Sequence, residues 1–450
     1  MFSADAFESS SRSGTSELFD VLIHRVRGSS HAVTTDHRLR ASGLFGLYVL
    51  AMYAVSISYA DFAVLGNFKP ISLTVVVYIP LMLLMMGRSA IDTLLRRSHS
   101  GANLYQIVGW SLLACMAVLH ALWYPEVVRA GGEADFWSNA AMTLLLPLLM
   151  WLIGLSIGRV YENVRDVVST RFMLWTVFLA LAAPVLYGVV ASMVRYGVVI
   201  LLFKNYETGQ SFNYLALGDT LAVWSLLLMG AYRRIPRTQL LVYVIASGLL
   251  FFSFSRASFY LFLAWGGIYL WLSAMRHRSV VGTVVGPVLS AVVLGAVLLV
   301  LSEHQATIGA SPLLNRMISI VLSPGADSSV QSRAVLLGAG WAVLRQDWLL
   351  GRYMSEWWQT GLLGDYIHNW LSFLAAYGIV PFASFVALAV ALARRARALL
   401  ARGRGPLPLI TLLFCLSAII LARSYVWPQI WFAMGFVVTY TCGTVGERKT

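Results

Sequence analysis

The chain has 450 residues, 59% of them hydrophobic and 12% charged, and its mean hydropathy is +0.74. A water-soluble chain carries about twice that charged fraction, which excludes an ordinary soluble globular protein. The formal charge of +13 would point to nucleic acid in a soluble protein. Here the basic residues fall in alternate connections between apolar runs, so the excess is an orientation signal and no nucleic-acid partner is expected.

Residues 1–40 are polar and rich in serine, with no apolar stretch ahead of a cleavage site. They read as a mostly disordered cytoplasmic tail and not as a signal peptide. From residue 41 onward, apolar runs long enough to cross a hydrocarbon core recur to the end of the chain. They fall near residues 41–60, 70–87, 104–124, 137–157, 172–194, 213–231, 239–254, 257–275, 279–301, 367–393, 406–422 and 425–443. The short alternation of membrane-barrel strands is absent, and backbone in lipid must bond to itself. The expected fold is therefore an all-α polytopic membrane protein of about twelve spans. Nine of these spans occupy residues 41–301 and three occupy 367–443, followed by a short tail at 444–450.

Arginines follow the even-numbered spans. Arg88, Arg96 and Arg97 follow the second, Arg159, Arg165 and Arg171 the fourth, and Arg233, Arg234 and Arg237 the sixth. Arg276 and Arg278 follow the eighth, and Arg394, Arg395, Arg397, Arg402 and Arg404 the tenth. The positive-inside rule then places both termini in the cytoplasm. One connection is out of scale: residues 302–366, on the outer side. Structureless loops beyond about 15 residues are uncommon and usually functional. This one has a helical apolar pattern from Arg333 to Trp348, with Ser332 as its expected cap. A smaller outer segment, residues 195–212, has an apolar first half suited to the membrane interface.

Four outer-side clusters could carry chemistry. Asn213 to Asp219 enters the sixth span, and an acid about two turns inside is costly unless it lines a polar cavity or meets an arginine. The alternative is a solvated helix start. Ser253 to Arg256 forms an abrupt joint between two spans, where a guanidinium suits the oxygens of a phosphate or snorkels to lipid headgroups. Asp327 to Arg352 contains Ser332-Arg333, where Arg333 either meets substrate or pairs with Asp327 or Asp347. Asp365 to Asn369 opens the tenth span, and His368 there can take a proton near neutral pH. Cys115, Cys415 and Cys442 lie in apolar runs and form neither a disulfide framework nor a metal spacing. No metal-ligand cluster, nucleotide-type glycine loop or GxSxG elbow is present, so no metal or cofactor is expected.

These clusters, in this order, resemble the O-antigen polymerase and O-antigen ligase superfamily of bacterial membrane glycosyltransferases. The resemblance rests on Asn213–Asp219, on Ser255-Arg256, on Ser332-Arg333 leading towards Leu350-Gly351, and on His368-Asn369 followed by Gly378. It covers about residues 200–385; the earlier residues match only as generic spans. It implies an inner-membrane enzyme whose active site faces the periplasm. Such an enzyme transfers an undecaprenyl-diphosphate-linked glycan to an acceptor glycan, with inversion and without a metal. Carried over by residue, Arg256 and Arg333 would clamp the diphosphate, and His368 would act on the acceptor hydroxyl. Asn213, Asp219, Ser255, Arg195, Arg352, Asn369 and Arg423 would bind substrate. The spacing from Asn369 to Gly378 is one residue shorter than in ligases, Pro381 stands where a small residue is usual, and Trp348 replaces a proline. These departures lean towards a polymerase, with a ligase as the alternative and a lipid-linked oligosaccharide flippase as a more distant one. A chain-length regulator protein is a further expected partner.

Overall fold

With no water at membrane depth, each apolar segment satisfies its own backbone by forming a helix. A computed structural model describes residues 43–60, 100–196, 214–276, 327–361, 367–424 and 427–440, together with isolated positions at Pro80, Leu84, Met317 and Gly325. Among the described residues the fold is all-α, with no strand. Seven helices there are long and apolar enough to cross a membrane, and three more are apolar but shorter. The tail at 1–40, the expected spans at 70–87 and 279–301 and most of residues 302–326 lie outside the described residues, apart from the isolated positions.

In chain order the helices are α1 (Gly43–Ala60), α2 (Ser100–Arg129), α3 (Glu133–Ala140), α4 (Leu146–Val164), α5 (Val168–Tyr196) and α6 (Tyr214–Ala231). They continue with α7 (Pro236–Phe252), α8 (Arg256–Arg276), α9 (Ser328–Asp347), α10 (Ser355–Thr360) and α11 (Leu371–Tyr377). The last three are α12 (Ile379–Ala401), α13 (Leu407–Leu421) and α14 (Gln429–Thr439). A π-helical turn, Ala141–Leu145, joins α3 to α4 into one membrane-length rod. α6 is the central helix: 83% of its membrane-length window is buried, against 33% for α2 and α12. Its apolar residues lie all round, as they must when every face meets protein.

Lipid tails are as apolar as leucine, so close backbone approach, more than hydrophobicity, holds such helices together. α4 and α14 pack closest. A Cβ on Gly154 would lie 2.3 Å from the Phe432 carbonyl oxygen, and one on Gly435 would lie 2.5 Å from that of Trp151. Polar ties add to this: Thr439 donates to the Leu155 carbonyl at 2.7 Å, and the Trp224 indole donates to Leu174 of α5 at 2.8 Å.

Two local expectations are corrected. The loop helix begins at Ser328, and its cap is Asp327, not Ser332. The Asp327 carboxylate accepts from the backbone N–H groups of Ser329 at 3.0 Å and Val330 at 3.1 Å, which leaves Ser332 inside the helix. The expected span 367–393 is likewise not continuous. It breaks at Gly378, whose φ of +77° ends α11 before α12 begins. The break seats the Leu349–Gly351 turn: the Ile379 N–H reaches the Trp348 carbonyl at 3.0 Å, and the Arg352 N–H reaches that of Ala375 at 2.7 Å. Gly351 (φ +71°) and Gly378 touch backbone to backbone, and a Cβ on Gly351 would lie 2.3 Å from the Gly378 nitrogen. No side chain fits there.

The connections sort to two ends. Arg165, Arg233, Arg276 and Arg404 meet in one cavity, and Arg256, Arg333 and Arg423 meet in another. α6 contributes Tyr214 to the latter and Gly230 to the former. At the helical rise those positions are about 24 Å apart, most of a hydrocarbon core.

Candidate functional site

The site starts at the joint between α7 and α8. Phe254 has a φ of +61°, a left-handed conformation that costs a non-glycine residue roughly 1–2 kcal/mol. Ser253 helps to hold it, donating to the Leu250 carbonyl at 2.8 Å. The turn buries Ser255 against α6, where Gly218 leaves room: a Cβ there would lie 2.5 Å from that of Ser255. α8 thus starts at the cavity, and the partial positive charge of its N-terminus faces the same space as Arg256.

Two buried ion pairs frame the cavity. Asp219 and Arg423 are each about 1% exposed. The Arg423 Nε donates to Asp219 Oδ2 at 2.6 Å and its Nη2 donates to Oδ1 at 3.2 Å. Ser258 donates to Asp219 Oδ1 at 2.5 Å and shares a 2.5 Å hydrogen bond with Ser255. The Trp427 ring lies under the guanidinium, 4.8 Å from centroid to Cζ. In the second pair, Arg256 donates through Nη1 and Nη2 to Asp327 at 2.5 and 3.1 Å. One carboxylate therefore caps α9 and docks it onto α8.

Arg333, about one and a half turns into α9, completes the ring of cations. Among the described residues it forms no ion pair. Its pKa is lowered, first by burial and then by the like charges of Arg423 and Arg256. The cavity holds about 190 Å³. Its polar side is the three arginines, and its other side is Leu215, Phe254, Leu261 and Leu421. Two guanidinium charges are balanced by carboxylates and the third is not, so one net positive charge faces an apolar wall across the cavity.

The remaining expected site residues are placed elsewhere. His368 and Asn369 do not line this cavity. Ile367 packs into the notch at Gly340 of α9, whose added Cβ would sit 2.1 Å from the Ile367 side chain. Asn369 caps α11, its Oδ1 accepting the Leu371 N–H at 2.9 Å. Arg352 lies over the Trp358 ring at 5.0 Å, beyond the cavity. Asn213 lies outside the described residues, and so does the side chain of Arg195.

Sequence reasoning missed three contributors. Ser258 sits one helical turn after Ser255, and that spacing was the available signal. Gly218, next to Asp219, marks a close backbone approach. Tyr260 reaches over the cavity and donates to the Met317 carbonyl at 2.7 Å, a contact with no local signature. Comparison with protein families, curated proteins and solved structures finds no match to the chain.

Proposed function

We propose that the chain is a bacterial inner-membrane glycosyltransferase that polymerises undecaprenyl-diphosphate-linked oligosaccharide repeat units at the periplasmic face. In this reading it has about twelve spans, both termini are cytoplasmic, and residues 302–366 lie on the outer side. The observation that carries it is the convergence of Arg256, Arg333 and Arg423, from three distant stretches, on one cavity with a cationic side and an apolar side.

The chemistry follows from that cavity. The diphosphate rests on the guanidinium groups, and the first isoprene units rest on the leucine wall. The acceptor hydroxyl oxygen bonds to the anomeric carbon as the bond to the diphosphate oxygen breaks, and that oxygen keeps the electron pair. Fixed cations at that oxygen supply the stabilisation that other enzymes take from a metal. Asp219 and Asp327 are committed to arginines, so neither serves as the base. His368 is the proposed base. Arg333 and Gly340, where Ile367 packs, are about 10 Å apart along α9. In this reading His368, next to Ile367, acts from beside the cavity and not from its lining.

The test is reconstitution. Purified protein in nanodiscs, given an undecaprenyl-diphosphate-linked repeat unit, should build a ladder of longer lipid-linked chains. Movement of that lipid between leaflets with no ladder would replace the reading with transport.

A further inference from the structure

The opposite end of the bundle carries a second basic cavity that glycosyl transfer does not use. It is lined by Arg165, Arg233, Arg276 and Arg404 with one carboxylate, Glu162. Each arginine follows a different span, at the end that the charge pattern assigns to the cytoplasm.

Glu162 organises the floor. It accepts from Arg165 at 2.6 and 2.8 Å and from Arg233 at 3.0 Å, and it also accepts the Tyr440 hydroxyl. Its oxygens are thereby spent, while Arg276 and Arg404 form no ion pair among the described residues. The Arg276 guanidinium lies over the turn between α12 and α13. Gly403 and Gly405 both have positive φ there, and their added Cβ atoms would sit 3.7 and 3.6 Å from it. α13 starts in the same wall at Pro406 and Leu407, adding the positive end of a helix. Arg165 is only 3% exposed, and its Nε lacks a hydrogen bond, standing 3.9 Å from the Asp166 carboxylate. Burial lowers the Arg233 pKa, Glu162 offsets this, and the smaller effects of Arg165 and Arg276 add to the lowering. The enclosed recess is small, about 20 Å³, room for one oxygen-sized group.

We propose that this cavity is an anion site for a phosphate group, supplied by an anionic lipid headgroup of the cytoplasmic leaflet. One phosphate oxygen fills the recess, and Arg276 and Arg404 grip the others. Four guanidinium groups against one carboxylate leave an excess of three positive charges. Pockets of this kind between transmembrane helices bind acidic headgroups.

The test uses the full chain in detergent. Native mass spectrometry should show phosphatidylglycerol retained in preference to phosphatidylcholine. Arg276→Gln with Arg404→Gln should weaken that retention roughly tenfold or more, since each lost charge-assisted contact is worth about that factor. Arg402→Gln removes an exposed charge outside the cavity and should leave retention unchanged. Should the double variant fail to fold, Arg404→Gln alone carries the comparison, because its side chain is exposed. If inorganic phosphate raises the melting temperature without lipid and the variant abolishes the rise, the site stands and its ligand is soluble. Equal retention of both lipids, a variant that binds phosphatidylglycerol like the wild type, or an equal loss in Arg402→Gln would each overturn it. No glycosyl transfer is measured, so the result is independent of the proposed activity.

Discussion

Arg333 and Arg423 face the same cavity and should respond oppositely to mutation. Arg333 holds no carboxylate among the described residues, so Arg333→Ala should leave the unfolding free energy within about 0.5 kcal/mol of wild type. It should cut product formation by roughly 10²–10³, the usual cost of losing one donor at a developing oxyanion. Arg333→Lys should rescue little, because an ammonium lacks the planar two-pronged grip. An unaltered rate in Arg333→Ala would remove it from the site. Arg423 is already committed to Asp219, so Arg423→Ala strands a buried carboxylate and should cost about 3–5 kcal/mol in thermal unfolding. Asp219→Leu with Arg423→Met should recover most of that stability and none of the activity. If the double variant stays as unstable as the single, the pair is not the partnership described. That Asp219, Arg256 and Arg333 merit a search for partners was legible in the sequence, because a charge beside an apolar run needs a reason. The choice of partner was not. Asp327 lies as close in sequence to Arg333 as any carboxylate, yet it pairs with Arg256, a distance set by how α9 docks and not by spacing.

At the level of elements, glycines decide which helices and turns can touch. Gly154→Ala should abolish folding of the α4–α14 pair, because its Cβ would meet Phe432 backbone that cannot yield. Gly188→Ala in α5 meets nothing within 4 Å and should be neutral or stabilising by up to about 1 kcal/mol. Gly351→Ala and Gly378→Ala should each free the Leu349–Gly351 turn from α12, seen as faster proteolysis of that turn. Gly361→Ala shares the positive φ but has open space, so it should cost only about 1 kcal/mol. Equal effects at Gly361 and Gly351 would mean that conformation alone, and not the close approach, sets the cost. Among the described residues most apolar runs gave helix positions to within a few residues, since hydrophobicity over a membrane's thickness is a strong local signal. The break at Gly378 escaped that signal because both flanks are apolar. Its cause is the Trp348–Leu349 backbone, some thirty residues away in sequence.

Across the whole molecule, the two arginine cavities at opposite ends of α6 make orientation and chemistry separate questions. Reporter fusions at Gly325 and Gly403 should report opposite compartments, with Gly403 cytoplasmic. The same compartment for both would move the proposed site to the wrong face of the membrane. Within the proposed glycosyl-transfer reading, polymerase and ligase differ in the acceptor, which is read most directly from what accumulates when the protein is absent. A polymerase joins two lipid-linked chains, so both donor and acceptor bring a diphosphate. A ligase brings one diphosphate and takes an acceptor core. In the proposed reading the cavity at Arg333, with one unbalanced guanidinium among its three, takes one diphosphate. The second, in a polymerase, must rest on other outer-face cations, such as Arg352 beyond the cavity. In a deletion strain a lost polymerase leaves single repeat units attached to their acceptor, and Arg352→Ala should reproduce that pattern in part. A lost ligase instead leaves long chains stranded on undecaprenyl diphosphate, with Arg352→Ala near wild type. Long lipid-linked chains in the deletion strain would therefore reassign the enzyme as a ligase, while leaving the arginine cavity as the donor site in either case.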